Sequence, residues 1–185
     1  MIKPKGLWRE ARNPPADPTG LSFQNKAVLV TGVNSGFGYA AAVKYAALSA
    51  TPLILAVRPA EKCKAARAST VRETKHSGQI ITLILEPSNF ASVNAFADWL
   101  DEKAAKLDVA LFYAGIILPD YKTSSGGYEL TTKVNLLSNT LFALRLLLRP
   151  RAAAASSDGT SLPHLCFLDT LPSHVVNPEW LPPAG

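Results

Sequence analysis

Cysteine is scarce in this chain, with two among 185 residues. Cys63 and Cys166 stand far apart without CxxC spacing, which argues against a disulfide framework or a cysteine zinc site. Reduced thiols in a cytoplasmic protein are the expectation. Dense charge of one sign is also missing. The net charge is +5, but Lys3, Lys5, Arg9, Arg58, Lys62, Lys64, Arg67, Arg72 and Lys75 are scattered, and no clustered patch for nucleic acid forms. Long hydrophobic runs are absent. The longest, within 136–148, is broken by Ser138, Asn139, Thr140 and Arg145 and is too short and polar to span a membrane. The opening Met-Ile-Lys-Pro-Lys-Gly-Leu-Trp lacks the apolar core of a signal peptide. His164 and His174 have no partner at metal or triad spacing, so no metal site is expected and both read as structural or exposed.

What is present fits one domain with a sizeable core. Hydrophobic residues make up 48% and charged residues 18%, ordinary for an α/β protein. Residues 1–25, rich in Pro, Lys and Arg and carrying Trp8, read as an N-terminal arm. Ala27–Thr31 is a continuous apolar run, as in a parallel strand buried on both faces. Gly36–Leu48 reads as a helix of small residues, Pro52–Val57 as the second strand, and a charged helix opened by Pro59 runs to about His76. Gln79–Leu85 is the third strand. Ser88 is a candidate N-cap for a helix whose Val93, Phe96, Ala97 and Leu100 form an amphipathic stripe. Leu107–Tyr113 is the fourth strand, ending in Ala114-Gly115. A polar loop (119–127) then leads into a long helix from about Tyr128 to Leu148, stopped by Pro150. An Ala/Ser-rich connection (151–161) precedes a fifth strand, His164–Leu168, and a Pro-rich tail follows over 171–185. Alternating strands and helices predict a doubly wound, Rossmann-like parallel sheet of about five strands over 26–170.

The chemistry concentrates after the first strand. Thr31-Gly32-Val33-Asn34-Ser35-Gly36-Phe37-Gly38 spaces its glycines G-x-x-x-G-x-G. The first permits a sharp turn, the second a close backbone approach to a pyrophosphate, and the third tight helix–sheet packing. The helix that follows offers free N–H groups and a positive dipole end to phosphate. Arg58 ends the second strand, where an acid would bind a ribose 2′-hydroxyl and a base accommodates a 2′-phosphate. With no acid in Ala56-Val57-Arg58 and Lys62 one turn further on, NADP(H) is the expected cofactor; a solvated surface cation is the other reading of both.

These residues resemble the short-chain dehydrogenase/reductase family, closest to fungal, retinol-dehydrogenase-like members of secondary metabolism. The resemblance covers roughly 20–175 and several motifs in order. Thr31–Gly38 is similar to TGxxxGxG and Ala56-Val57-Arg58…Glu61-Lys62 to AVRxxEK. Leu107-Asp108-Val109…Ala114-Gly115-Ile116 is similar to LDVLxxNAGI, Val134-Asn135 to the long-helix Asn, and Pro163-His164-Leu165…Asp169-Thr170 to PHLxxVSS. The resemblance implies cofactor contacts from Gly32, Asn34, Gly36, Phe37, Gly38, Arg58, Lys62, Glu86, Ala114 and Gly115. Glu86 stands where the family has an Asp that accepts from the adenine amine, and Tyr113 where it has an Asn beside the adenosine. Catalytic roles would fall to Thr170, at the position of the catalytic Ser, and to Asn135, which in the family orders a water-mediated proton relay. A strand-end residue and a backbone-bonded helix residue are the alternatives for these two.

The family's Tyr-x-x-x-Lys pair has no match: Tyr39, Tyr45, Tyr113, Tyr121 and Tyr128 all lack a Lys four residues on. Tyr is the family's general acid/base and Lys lowers its pKa, so the expected chain is C-terminally truncated relative to the family, with later strands missing. The resemblance implies an NADP-dependent oxidoreductase acting on a carbonyl or alcohol of a small molecule, in secondary-metabolite biosynthesis. A non-catalytic dinucleotide-binding pseudoenzyme, or a fragment of a longer reductase, is the alternative. The exposed apolar edge of the fifth strand and the leucines of the long helix (Leu136, Leu137, Leu141, Leu144, Leu147, Leu148) predict a homo-oligomer or marginal stability, although ordinary burial on the sheet explains the leucines equally well.

Overall fold

A computed structural model describes residues 12–13, 16, 20–58, 61–104, 106–148 and 164–168. Most of the arm expected over 1–25, the connection at 151–161, Pro59, Thr170, His174 and the tail over 171–185 lie outside the described residues. Five strands form one sheet in the order β3-β2-β1-β4-β5: β1 (Val28–Thr31), β2 (Leu53–Val57), β3 (Ile80–Ile84), β4 (Val109–Phe112) and β5 (His164–Phe167). Every pairing is parallel, with Val28 opposite Leu53 and Val109, Leu53 opposite Ile80, and Val109 opposite His164. The doubly wound sheet read from the sequence is therefore present.

The helices are α1 (Gly36–Ala47), α2 (Glu61–Thr74), α3 (Phe90–Lys103), a one-turn α4 (Leu130–Thr132) and α5 (Asn139–Leu147). Between α4 and α5 the chain stays helical but widens into a π-helical stretch, Lys133–Ser138. The long helix expected from the sequence is thus one continuous rod with an over-wide middle. The N-cap of α3 is Asn89, whose side chain accepts from the Ala91 N–H, and not Ser88. The Ser88 hydroxyl instead donates to Glu86 at 2.7 Å. A carboxylate is the stronger acceptor, and Asn caps as well as Ser does.

Alternation along the strands splits the core. Leu29, Ile54, Ala56, Ala110 and Phe112 face α3 and α5, where Val93, Phe96, Ala97, Leu100, Phe142 and Leu146 cover them. Val28, Val30, Leu53, Leu55, Val57, Val109 and Leu111 face the other way, against Ala42, Ala46 and Ala66. Small residues on α1 keep that helix close, as the sequence suggested. Arg145 of α5 ties to α3 through Asn94 at 3.1 Å and Asp98 at 2.5 Å. At the foot of the sheet, Asp108 is 5% exposed, accepts from the Ala27 N–H at 2.8 Å, and pairs with Lys106 at 3.1 Å and Lys26 at 3.5 Å. A buried carboxylate is tolerated because hydrogen bonds and cations surround it.

The leucines of the long helix divide. Leu136, Leu144, Leu147 and Leu148 are exposed, while Phe142, Ala143 and Leu146 carry the burial. Strand β5 pairs only with β4 among the described residues, with Phe167 and Leu168 exposed. Phe142 sits edge-on between Phe96 (5.4 Å) and Phe112 (5.5 Å) and is 1% exposed. Phe142→Ala is expected to cost about 3–5 kcal/mol of folding free energy, because both the transfer and the cavity terms apply. Urea unfolding checks this, and a loss under 1 kcal/mol would mean that α5 is not seated on the sheet.

Candidate dinucleotide-binding site

The strand order reverses beside β1: the chain runs outward through β2 and β3, then returns to β4 on the other side. In such sheets the crevice beyond the carboxyl ends of the strands at the reversal is where ligands bind. A cleft of about 260 Å³ lies there, lined among others by Gly32, Asn34, Phe37, Gly38, Arg58 and Ala114.

The strands part at this end, and side chains take over from the ladder. The Thr31 hydroxyl, on a residue 1% exposed, accepts from the Tyr113 N–H at 3.1 Å and the Ala114 N–H at 3.0 Å. Gly32 follows at φ +71°, and a Cβ there would lie 2.7 Å from Ala114 N and 2.8 Å from the Tyr113 carbonyl carbon. No side chain fits at that crossing. A Cβ on Gly38 would collide with the Gly32 carbonyl, which is why α1 starts hard against the turn. Ser35 is the N-cap of α1, yet its side chain makes no capping bond. The first N–H groups of α1 thus receive no capping bond from Ser35 at the positive end of the helix.

At the far wall, Arg58 donates from Nη1 to both Glu86 carboxylate oxygens, at 3.0 and 3.3 Å. Its carbonyl accepts from the Asn34 side-chain amide, which fixes the end of β2 to the glycine turn. Glu86 Oε1 also accepts from the Ser88 N–H at 3.0 Å and hydroxyl at 2.7 Å. Burial pushes the Glu86 carboxyl up, but the Ser88 hydrogen bonds and the Arg58 guanidinium outweigh it and hold the group below the ordinary carboxylate range. Oε1 is thus filled, while among the described residues Oε2 carries only the longer Arg58 contact.

Beyond β4, the Asn135 carboxamide clamps the backbone of Ile116. Oδ1 accepts from its N–H and Nδ2 donates to its carbonyl, both at 2.8 Å. The Asn139 amide donates to the carbonyls of Ala114 (3.3 Å) and Asn135 (3.1 Å). The Ser138 hydroxyl donates to the Pro87 carbonyl. The π-helical stretch and the residue after it thus hold the loops following β3 and β4. Glu129 begins this rod by accepting from the Thr132 and Thr131 N–H groups, and those bonds push its carboxyl down to about 2.

Of the residues expected at the site, Gly32, Asn34, Phe37, Gly38, Arg58, Ala114 and Gly115 line the cleft, and Gly36 opens α1 between lining residues. Glu86 joins it through Arg58. Lys62 is exposed on α2 and is not part of the lining. Asn135 lies behind Ile116, and Thr170 lies outside the described residues. The sequence reading missed Thr31, Ser88, Ser138 and Asn139. A Thr at a strand end before a glycine turn, and polar residues three and four positions after Asn135, were the available signals.

A cleft at the reversal of a parallel sheet, floored by a glycine turn and an open helix N-terminus, defines an α/β fold suited to a dinucleotide. Residues 26–151 match the short chain dehydrogenase family, and the chain belongs to it. It is 39% identical over 166 residues to the short-chain dehydrogenase/reductase ffsI of Aspergillus flavipes, an alignment covering 89% of this chain and 48% of that protein. A metagenomic short-chain oxidoreductase in complex with NADP superimposes with a TM-score of 0.66 at 22% identity, over 80% of this chain and 64% of that one. A Shigella flexneri short chain dehydrogenase complexed with NADP gives 0.60 at 25% identity, over 78% and 59%. The chain spans about half, or less, of the length of the curated relatives it matches.

Thr31→Val keeps the shape but leaves the N–H groups of Tyr113 and Ala114 without their acceptor, at a cost of about 2–3 kcal/mol; Thr31→Ser should retain most of the stability in the same urea titration. The Glu129 carboxyl is held below its ordinary value in the folded chain, so its contribution is present above pH 4.5 and is lost as pH falls towards about 2. Amide exchange at Thr131 and Thr132, once corrected for its intrinsic pH dependence, should lose protection over that interval and not above it.

Proposed function

We propose that this chain binds NADP(H) and provides the cofactor half of an oxidoreductase acting on a carbonyl or alcohol of a small molecule. The observation that carries this reading is the Gly32–Gly38 turn, with its packed crossing at Tyr113–Ala114 and the uncapped start of α1. The backbone at 36–38 would hold the pyrophosphate, Arg58 a 2′-phosphate, and the Ala114–Gly115 loop the middle of the cofactor. When bound, the nicotinamide supplies the hydride chemistry. Arg58 in the lining, and the NADP carried by the Shigella flexneri relative, support NADP over NAD. The fungal source of the ffsI relative fits a role in secondary-metabolite biosynthesis.

The absence of any Tyr with a Lys four residues later favours a second reading, cofactor binding without turnover by this chain alone. Losing a positioned acid costs about 10²–10⁴ in rate, and the Asn135 carboxamide is already engaged with Ile116. We further read the exposed Leu136, Leu144, Leu147 and Leu148 as a surface for a second copy of the chain, which sedimentation of wild type against Leu144→Glu/Leu147→Glu would show as dimer against monomer.

Titrating NADPH and NADH into the purified chain, followed by cofactor fluorescence, tests the main reading. Saturable binding that is tighter for NADPH, and weakened about tenfold by Arg58→Ala through loss of a charged phosphate contact, is the expected result. No saturable binding would overturn it. Carbonyl-dependent NADPH oxidation well above background would remove the second reading.

A further inference from the structure

Arg58 is not a free cation at the adenosine end of the cleft. We propose that Glu86 is a specificity-determining residue that holds down the preference for a 2′-phosphate set by Arg58. The inference rests on reading the cleft as a nicotinamide dinucleotide site.

The carboxylate is fixed from two sides. Ser88 donates to Oε1 from both its backbone N–H and its hydroxyl, and Arg58 Nη1 spans both oxygens. The side chains remain 46% and 32% exposed for Arg58 and Glu86, so the pair sits at the rim, open to an incoming ligand. Arg58 offers five donors in a planar fork. Among the described residues only Nη1 has a partner, which leaves Nε and Nη2 for phosphate oxygens. Any phosphate that reaches them also meets the Glu86 charge, held against the same guanidinium. Lys62, in the first turn of α2, is exposed and is not among the residues lining the cleft. Glu86 offsets part of the Arg58 charge, so a dianionic phosphate gains less from the pair than it would from Arg58 alone. Glu86 Oε2, with one long contact, in turn keeps accepting capacity that suits a ribose hydroxyl or an adenine amine. The pair therefore presents both signs, and Glu86 lowers the 2′-phosphate preference that Arg58 alone would set.

Adenosine 2′,5′-bisphosphate and 5′-AMP isolate this end of the cofactor. Their dissociation constants are to be measured calorimetrically on the whole chain, for wild type, Glu86→Gln and Ser88→Ala, at low and high salt. Glu86→Gln keeps the shape and the accepting oxygen but removes the charge. It is expected to raise the preference for the bisphosphate about tenfold at low salt and less at high salt, since the effect is a screened interaction of unit charges. Ser88→Ala, which loosens the carboxylate, should raise it by a smaller factor. A purely structural role would weaken both ligands alike and leave their ratio and its salt dependence unmoved. An unchanged or lowered ratio in Glu86→Gln, with wild type binding both ligands, overturns this inference and leaves the cofactor reading standing. Failure of wild type to bind either ligand overturns both.

Discussion

The parting of β1 from β4 at their carboxyl ends is the constraint on which the site depends. Parallel strands that stay paired leave no room for a ligand, and strands that part leave backbone donors to be satisfied. The Thr31 hydroxyl resolves this by taking the N–H groups of Tyr113 and Ala114. Gly32 then passes over the same two residues at a distance that excludes any side chain. The crossing fixes where α1 begins, and the start of α1 fixes where an anion can sit. A hydroxyl and a missing Cβ together convert a packed sheet edge into a cleft.

The rest of the molecule holds that cleft open from behind. One face of the sheet keeps α1 close through alanines; the other is covered by aromatic and branched residues of α3 and α5. Asn135 and Ser138 lie in the π-helical stretch of the rod leading into α5 and reach the loops after β4 and β3. With Asn139, these side chains grip Ile116, Pro87 and Ala114. The loops that line the cleft are thus held by a rigid element.

The strands and the glycine turn were legible in the sequence because each is a local pattern. The runs at 27–31 and 52–57 are apolar throughout, and the observed β1 and β2 are buried on both faces. The stripe Val93, Phe96, Ala97 and Leu100 names the buried face of α3 without error. Relations between distant residues were not legible. Arg58 and Glu86 were each assigned a ligand, yet they bind each other across 28 positions, and no periodicity encodes that. Ser88 and Asn89 are both good caps; the Ser88 hydroxyl is engaged by the Glu86 carboxylate and Asn89 caps α3. The widened turn at Lys133–Ser138 leaves no mark in composition, and the bonds of Asn135 and Ser138 to Ile116 and Pro87 join residues 19 and 51 positions apart.

Amide chemical-shift mapping of the labelled chain during addition of NADPH reads whether the crevice between β1 and β4 receives a dinucleotide through the backbone of the glycine turn. The largest shifts are expected at Gly36, Phe37, Gly38 and Ala114, with smaller ones at Arg58 and none at Ala27 or Asp108 at the opposite end of the sheet. Shifts spread over the molecule, or centred away from the turn, would mean that the glycine turn does not receive the cofactor.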